Sequence, residues 1–319
     1  GIIWTYNLRL NGGILINMKI GIDIGGSHIG IGLVNNGKIV EKKEILIQTI
    51  NKKEDEKTEK IIRLLEENIG ELVNKYKEHI ELIGISVPGI AYGTKSMKLD
   101  NLGIKEIDFS SLEKSFKTKV KAINDGNAAA LAEKKYGSLK NYKDCIFLCL
   151  GTGVGGAVFL DNKLLAARNG LGFEIGHMVI EKNGILCNCG KKGCFEKYAA
   201  MSVLKNKVIK ELENIYNDEN ILEKKYFSDL VKENIDNKNI QKAMDEFTDN
   251  LVIGFSNLID LFLPEAICIG GSFSYFKQWM YESLVNKMEK RKYAFYKSYI
   301  PKIEIAKFEN DAGIIGAVL

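Results

Sequence analysis

The stretch KIGIDIGGSHIGIGLVNNGKIVEKKEILI, residues 19–47, decides the fold. It consists of an apolar strand, a glycine turn, a second strand, and then Asn36-Gly37 before a third apolar run, which is a strong hairpin signal. A segment of the same design, CIFLCLGTGVGGAVFLDNKLLAA, returns at residues 145–167. Two glycine-turn hairpins built on one plan predict two α/β lobes.

Both glycine turns are suited to binding nucleotide phosphates. Glycine lets successive backbone N–H groups converge on an anion because no Cβ stands in the way. A single glycine-rich hairpin is more often only a tight turn, but the second copy, together with Asp23 at the end of the first strand, favours phosphate binding. A third glycine turn is expected at Gly270-Gly271, after a short buried strand.

The length and composition of the chain limit the classes of protein to which it can belong. The 319 residues are 45% hydrophobic, which is enough for a large core and two lobes. The 45 basic and 41 acidic residues leave a net charge of +4, so the charge gives no reason to expect nucleic acid or a membrane surface as partner. No apolar run is long enough to span a bilayer, and no signal peptide is evident. Residues 1–17 are interpreted as an extension before a natural start at Met18.

The rest of the chain alternates helices and strands. Apolar spacing predicts a helix over 54–80, and the following strand ends at Pro88-Gly89. An irregular loop is expected from there through Asn101-Leu102, and loops at strand ends commonly contact substrate. The remaining elements are predicted as a strand ending at Asn124, an alanine-rich helix, helices over 199–263, a helix running to about Tyr296, a strand over 303–306, and a terminal helix packing on the first lobe.

Asp125 stands at the junction between a strand and the alanine-rich helix. A lone Asp at such a junction is more often a helix cap. Its position between the two glycine hairpins favours a chemical role as well, because a carboxylate is a natural general base toward an alcohol.

The segment 174–196 concentrates potential metal ligands. His177, Cys187, Cys189 and Cys194 form a Cys3His set, which suits tetrahedral zinc. Glu174 and Glu196 remain as carboxylates without a metal to bind.

The other three cysteines lie in apolar runs and are expected to be core thiols: Cys145, Cys149 and Cys268. Unpaired thiols beside zinc thiolates indicate a reducing compartment, which predicts a cytoplasmic protein.

Six motifs together carry a family resemblance: DIGGS at 23–27, SVPG at 86–89, NDGNAAALAE at 124–133, GTGVGGA at 151–157, GLGFEIGH at 170–177 and CNCGKKGCFE at 187–196. From Met18 to the C-terminus the sequence resembles the ROK family, named for repressors, open reading frames and sugar kinases. The pairing of EIGH with CxCGxxGCxE is the most specific part of the match.

The resemblance implies an actin-like, hexokinase-type (ribonuclease H-like) duplicated α/β fold with two lobes around a cleft. It agrees with the repeated hairpin. The small lobe is expected to take in residues 18–123 and 304–319, and the large lobe residues 124–303 with the zinc site.

The resemblance also implies an ATP- and Mg²⁺-dependent kinase with a structural zinc, acting on the 6-hydroxyl of glucose or a close relative, and a homodimer or higher homo-oligomer. Asp125 is then the catalytic base. The sugar ligands it implies are Gly89, Asn124, Asp125, Glu174, His177 and Glu196. The nucleotide ligands it implies are Asp23, Gly25, Gly26, Ser27, Gly151, Thr152, Gly153, Gly155, Gly270 and Gly271.

Several alternatives stay open within the family. An N-acetylmannosamine, N-acetylglucosamine or β-glucoside kinase would use the same motifs, and the sequence after Glu196 and after Asn101-Leu102 departs from the usual glucokinase pattern. A sugar-responsive repressor needs a helix-turn-helix, for which the 17 residues before Met18 are expected to be too few. A non-catalytic sugar sensor would not need Asp125.

Overall fold

A computed structural model describes residues 18–47, 53–76, 80–99, 102–165, 173–291, 293 and 299–319. The predicted extension over 1–17 lies outside the described residues, as does Asn101. The chain divides into two compact units, which among the described residues comprise 18–140 with 310–319, and 141–165 with 173–309. No helix in the described part of the chain is long and apolar enough to cross a membrane.

The first unit is centred on a five-stranded mixed sheet of order β3-β2-β1-β4-β8. Its strands are β1 (Met18–Ile24), β2 (His28–Asn35), β3 (Lys38–Leu46), β4 (Ile80–Val87) and β8 (Lys119–Asn124). The first three strands are antiparallel neighbours, whereas β4 and β8 run parallel to β1. Asn36 and Gly37 both have positive φ, 47° and 75°, as a tight hairpin turn requires, so the predicted hairpin is confirmed.

The described part of this unit contains four helices, α1 (Glu54–Lys75), α2 (Ser110–Phe116), α3 (Asp125–Lys135) and α10 (Ala312–Ala317). The apolar side chains of α1 that face the sheet, Ile61, Leu65, Ile69 and Leu72, recur at helical spacing and are buried. The predicted helix is therefore confirmed, although it ends at Lys75.

The C-terminal helix α10 packs on the first sheet, as predicted, and against α3. Glycines on the strands make this close approach possible. A Cβ at Gly21 would overlap the carbonyl oxygen of Ile314, and one at Gly84 would overlap that of Ala317.

The prediction of an irregular loop after β4 is wrong. The chain there forms a three-stranded antiparallel sheet from β5 (Ile90–Tyr92), β6 (Lys95–Leu99) and β7 (Ile104–Asp108). Its strands are short and are joined by turns. Residues that favour turns interrupt the alternation of apolar and polar residues from which strands are predicted. Ser96 and Ile107, paired across β6 and β7, are buried on its inner face.

The second unit repeats the plan of the first sheet. Its five strands, in the order β11-β10-β9-β12-β13, are β9 (Cys145–Leu150), β10 (Val154–Leu160), β11 (Lys163–Leu164), β12 (Ala266–Gly271) and β13 (Lys302–Ile305). Again three antiparallel neighbours are followed by two parallel strands. The duplication predicted from the two hairpins is confirmed.

Helices of the second unit cover its sheet: α4 (Glu196–Ala199), α5 (Met201–Tyr216), α6 (Ile221–Lys224), α7 (Phe227–Glu233), α8 (Lys238–Phe262) and α9 (Lys277–Lys290). The 25-residue α8 is capped by Asn237, whose Oδ1 accepts hydrogen bonds from the amides of Asn239 and Ile240. The helical character predicted for 199–263 is confirmed.

The division into units differs from the predicted lobe boundaries at two places. The chain does not change unit at Asn124, because α3 packs against α10 in the first unit. The chain returns to the first unit at Asn310 and not at residue 304, because β13 pairs with β12 and completes the second sheet.

Among the described residues, none of the three cysteines predicted as core thiols forms a disulfide. Cys145 and Cys268 are buried, which confirms the prediction for these two, and Cys149 is half-buried on β9.

Candidate functional site

Four side chains of the second unit form a group that could hold a metal ion. The donor atoms of His177, Cys187, Cys189 and Cys194 all lie within 4.8 Å of one another. His177 Nδ1 lies 3.6 Å from the Cys187 sulfur, and the sulfurs of Cys189 and Cys194 are 3.5 Å apart. Three thiols and an imidazole are the donor set that suits tetrahedral zinc, so the residues present fit that ion.

Short-range backbone contacts hold these ligands in place. His177 ends a one-turn 3-10 helix, and the Cys187 amide donates to the Lys191 carbonyl at 2.8 Å. Gly193 has a φ of 78°, and a Cβ there would overlap the Glu181 carbonyl oxygen. The glycine before Cys194 is therefore required by the close approach of the two chain segments.

The thiols of this group titrate differently. Burial and the neighbouring thiols of Cys189 and Cys187 together raise the pKa of the Cys194 thiol to about 12. A backbone hydrogen bond from Lys191 lowers the pKa of Cys189. A metal ion bound here would therefore displace a proton that Cys194 otherwise keeps at neutral pH.

The two carboxylates of the same segment have different surroundings. Glu174 is exposed and directly precedes the 3-10 helix that carries His177. Glu196 is half-buried at the start of α4, and its Oε2 accepts a hydrogen bond from the Val154 amide at 3.1 Å. A Cβ at Gly153 would overlap that carboxylate. Glu196 thus joins the metal segment to the second glycine turn.

The second glycine turn is fastened to the N-terminus of α5. The Ser202 hydroxyl donates to the Thr152 carbonyl at 2.7 Å, and the Ser202 amide donates to the Gly151 carbonyl at 3.3 Å. Nothing lies within 4 Å of a Cβ built at Gly151 or at Gly155, so both positions border open space. The turn therefore offers its outer side to a ligand.

A cavity of about 760 Å³ adjoins this turn within the second unit. Gly151, Thr152 and Ser272 line one part of it, and aromatic side chains of α7 and of the 3-10 helix Ser272–Phe276 line another. Gly270 and Gly271 end β12 just before this helix, and Gly271 has a φ of 73° where a Cβ would overlap the Leu150 carbonyl oxygen. The cavity has the size of a small-molecule site.

The first glycine turn lies in the other unit, after β1. The Gly25 amide donates to the His28 carbonyl at 2.9 Å, which closes the turn around Gly26 and Ser27. Asp23 Oδ1 accepts from the Ser86 hydroxyl at 2.7 Å. Burial raises the pKa of the Asp23 carboxyl, and the Ser86 hydrogen bond opposes that rise.

Asp125 is the first residue of α3 and is exposed. The cap of this helix is the preceding residue, because Asn124 Oδ1 accepts from the Asn127 amide at 3.1 Å; the interpretation of Asp125 as the cap is wrong. The Asn124 side-chain amide also donates to the Gly89 carbonyl at 2.8 Å. Gly89, Asn124 and Asp125 therefore lie together in the first unit.

Sequence reasoning missed several residues that shape these sites. Ser86 lies within a quoted motif, yet nothing in the local pattern links it to Asp23. Ser202 lies in α5 and Tyr226 directly precedes α7, and the sequence of neither segment indicates a place in the cavity. Gly313, against the Asp23 carboxylate, could have been found from the small residues of the C-terminal helix.

The comparisons with known proteins agree on one family. Residues 19–319 match the ROK family. The chain is 31% identical over 328 residues to a glucokinase of Thermotoga maritima, which covers 93% of this chain and 95% of that protein. It is also 30% identical over 315 residues to a xylose repressor of Caldicellulosiruptor bescii, covering 94% of this chain and 76% of that one.

A solved structure agrees in fold. The ROK family glucokinase of Streptomyces griseus, solved with glucose and AMPPNP, has a TM-score of 0.74 and 23% identity over 94% of this chain and 98% of that chain. The actin-like, hexokinase-type fold class predicted from the sequence is confirmed.

Proposed function

The chain belongs to the ROK family, and on that premise we propose that it is an ATP-dependent sugar kinase acting on the 6-hydroxyl of glucose or a closely related hexose. The observation that carries this proposal is Asp125, an exposed carboxylate at the start of α3, which lies together with Asn124 and Gly89 in the first unit. The similarity to a glucokinase over nearly the full length of both proteins supports it.

Asp125 is proposed as the general base. Its carboxylate accepts the proton of the sugar hydroxyl as the hydroxyl oxygen attacks the γ-phosphorus, the bond from that phosphorus to the β,γ-bridging oxygen breaks, and ADP leaves. Positioned bases of this kind contribute about 10² to 10⁴ in rate. Asn124 is proposed to hold the sugar beside it. The side chain of Asn124 already donates a hydrogen bond to the Gly89 carbonyl and accepts one from the backbone amide of Asn127. Its orientation is therefore set before the sugar binds.

In the second unit, Glu174, His177 and Glu196 are proposed to bind the other sugar hydroxyls. Zinc, bound by His177 with Cys187, Cys189 and Cys194, would fix the orientation of the imidazole and of the segment around it. A site that hydrogen-bonds a hydroxyl rejects analogues lacking it by about 10⁴ to 10⁵. These side chains are therefore the proposed determinants of sugar choice.

The nucleotide phosphates are proposed to bind at the glycine turns. Mg²⁺ would supply charge neutralisation at the phosphates, and the turn amides would supply oriented hydrogen bonds. The ligands proposed from the sequence are Asp23, Gly25, Gly26, Ser27, Gly151, Thr152, Gly153, Gly155, Gly270 and Gly271. The open space at Gly151 and Gly155 and the adjoining cavity support this proposal.

A second candidate is a sugar-responsive regulator, which the similarity to a xylose repressor favours. An N-acetylhexosamine or β-glucoside kinase is an alternative within the kinase class. A cytoplasmic location and a homodimer stay predictions from the sequence.

An ADP-release assay across glucose, mannose, allose, N-acetylglucosamine, N-acetylmannosamine and cellobiose tests the proposal. We expect one or two sugars to stimulate ADP release strongly with Mg²⁺ and ATP. Sugar binding by calorimetry without ADP release on any sugar would favour the regulator instead.

A further inference from the structure

The three thiols of the Cys3His group differ in their exposure to solvent. Cys187 is 2% exposed and Cys194 is fully buried, whereas Cys189 is exposed. The next residue, Gly190, borders open space, since nothing lies within 4 Å of a Cβ built there. An oxidant dissolved in water can therefore reach the sulfur of Cys189, while burial protects the sulfurs of the other two cysteines.

The surroundings of Cys189 are positively charged. Lys191 and Lys192 follow it in the same loop, and both are exposed. The Lys197 ammonium group donates to the side chain of Asn188, the residue before Cys189, at 3.3 Å. Reactive cysteines typically lie in exposed, electropositive surroundings of this kind, and the thiolate, which is the form that binds zinc, is also the form that hydroperoxides oxidise.

A second sulfur lies close to that of Cys189. The sulfurs of Cys189 and Cys194 are 3.5 Å apart and a disulfide bond measures about 2 Å, so a movement of about 1.5 Å joins them. Between the two cysteines, Gly190 and Gly193 have positive φ, 87° and 78°, so the loop already makes the tight reversal that brings them together. The Cys187 sulfur instead lies beside the His177 imidazole, 3.6 Å from Nδ1.

We propose that Cys189 is an oxidation site, at which a hydroperoxide converts Cys189 and Cys194 into a disulfide and thereby releases zinc from the Cys3His group. In the first step, the Cys189 thiolate attacks the terminal oxygen of the hydroperoxide. The O–O bond breaks, alkoxide or hydroxide leaves with the electron pair, and Cys189 becomes a sulfenic acid. In the second step, the Cys194 thiolate attacks the Cys189 sulfur and displaces hydroxide. The two sulfurs lose two electrons, and the hydroperoxide gains them.

Zinc is released because too few ligands remain. A disulfide sulfur is no longer a thiolate, so His177 and Cys187 are left as two donors where a structural zinc site needs four. The His177 imidazole then loses the metal that fixes its orientation. The oxidation is independent of the proposed kinase function, but the expected loss of sugar affinity rests on it. A dithiol reductant restores both thiols, so the change is reversible.

The test exposes the zinc-loaded wild type and two variants, Cys189→His and Cys149→Ser, to hydrogen peroxide, and a chromogenic chelator follows the zinc that is released. Imidazole is a zinc ligand that cannot form a disulfide, so Cys189→His should keep its metal. Cys149 is half-buried and lies outside the Cys3His group, so Cys149→Ser is the control. We expect release of about one zinc per chain from the wild type and from Cys149→Ser, and release about tenfold slower from Cys189→His.

Mass spectrometry of the oxidised wild type identifies the bond without any variant. Trypsin cleaves after lysine and separates residues 183–191, which contain Cys187 and Cys189, from residues 193–197, which contain Cys194. The proposed disulfide joins these two peptides, and fragmentation between Cys187 and Cys189 shows which of the two is linked. A disulfide between Cys187 and Cys189 would remain within the first peptide.

The outcomes separate this inference from the kinase proposal. Zinc that is retained in peroxide, equally fast release from Cys189→His, a disulfide that includes Cys187, or a wild type that binds no zinc each overturns the inference. None of these results bears on whether the protein phosphorylates a sugar. Zinc release through the Cys189–Cys194 disulfide with unchanged calorimetric sugar affinity supports the inference and contradicts the role proposed for His177. Dithiothreitol with added zinc should restore the metal, and failure to do so overturns the reversible disulfide.

Discussion

Gly316 lies directly against the backbone of Ala128, so that a Cβ at residue 316 would overlap the Ala128 carbonyl oxygen. Gly316 belongs to α10 and Ala128 to α3, the helix that begins with Asp125. Three residues earlier on α10, Gly313 lies against the Asp23 carboxylate in the same way. The C-terminal helix therefore fixes two elements to which the proposed chemistry is assigned.

Replacing Gly316 by Ala should destabilise the first unit. The added methyl meets backbone, which cannot rotate away, and overpacking of this kind costs about 1–3 kcal/mol. Gly70→Ala is the matched control, since its Cβ would lie 3.8 Å from the nearest atom, on Phe116, and Ala is the better helix former by about 1 kcal/mol. In urea unfolding, Gly316→Ala should have a lower midpoint than the wild type, and Gly70→Ala should have a higher midpoint than the wild type. Equal midpoints for the two variants would contradict the close contact.

Asp125→Asn should lose turnover and keep sugar binding. The amide preserves the shape of the side chain but cannot accept the hydroxyl proton, so kcat should fall by about 10² to 10⁴. Asp55→Asn removes a comparable exposed carboxylate from the first turn of α1 and should have wild-type kcat. Turnover of Asp125→Asn close to the wild-type value would remove Asp125 from the base role.

Ser86→Ala should cost stability in a pH-dependent way. The Ser86 hydroxyl stabilises ionised Asp23, and a hydrogen bond to a charged group contributes about 1.5–3 kcal/mol. Loss of the donor raises the pKa of Asp23 beyond the rise already caused by burial. The loss in the free energy of unfolding should be largest at neutral pH. It should become smaller as the pH falls, because Asp23 then becomes protonated in the folded state.

Ser96→Ala is the control for that measurement. Ser96 is also buried, but its hydroxyl has no hydrogen-bond partner among the described residues. Its removal should leave the free energy of unfolding unchanged or raise it at every pH. A cost for Ser86→Ala that is independent of pH would indicate a packing role only.

Metal analysis of the purified protein should find about one zinc per chain. Cys194→Ser should lose most of it, whereas Cys268→Ala, which removes a buried thiol outside the Cys3His group, should retain it. Zinc should also be released on acidification, because protons compete for thiolates and free Cys194 has a raised pKa. Metal-free protein with full sugar affinity would refute the proposed role of zinc in orienting His177.

Much of the fold follows from local sequence. The duplicated sheets could be predicted because each hairpin carries its own signals, apolar runs around a glycine turn and Asn36-Gly37 in the first copy. The Cys3His group could be predicted for a similar reason, since three of its ligands lie within eight residues and a short loop brings such side chains together. The small sheet β5–β7 could not, because turn residues dominate its short strands.

The sequence by itself thus determined the fold class, the family resemblance and the types of chemistry available. Only the tertiary structure decided which side chains meet: Ser86 with Asp23, Glu196 with the Val154 amide, and Gly316 with Ala128. Local patterns depend on residues a few positions apart, whereas these contacts join segments separated by 42 residues or more and arise only when sheets and helices pack. The structure also decided between two neighbouring candidates for the cap of α3: Asn124 caps the helix, and Asp125 is exposed.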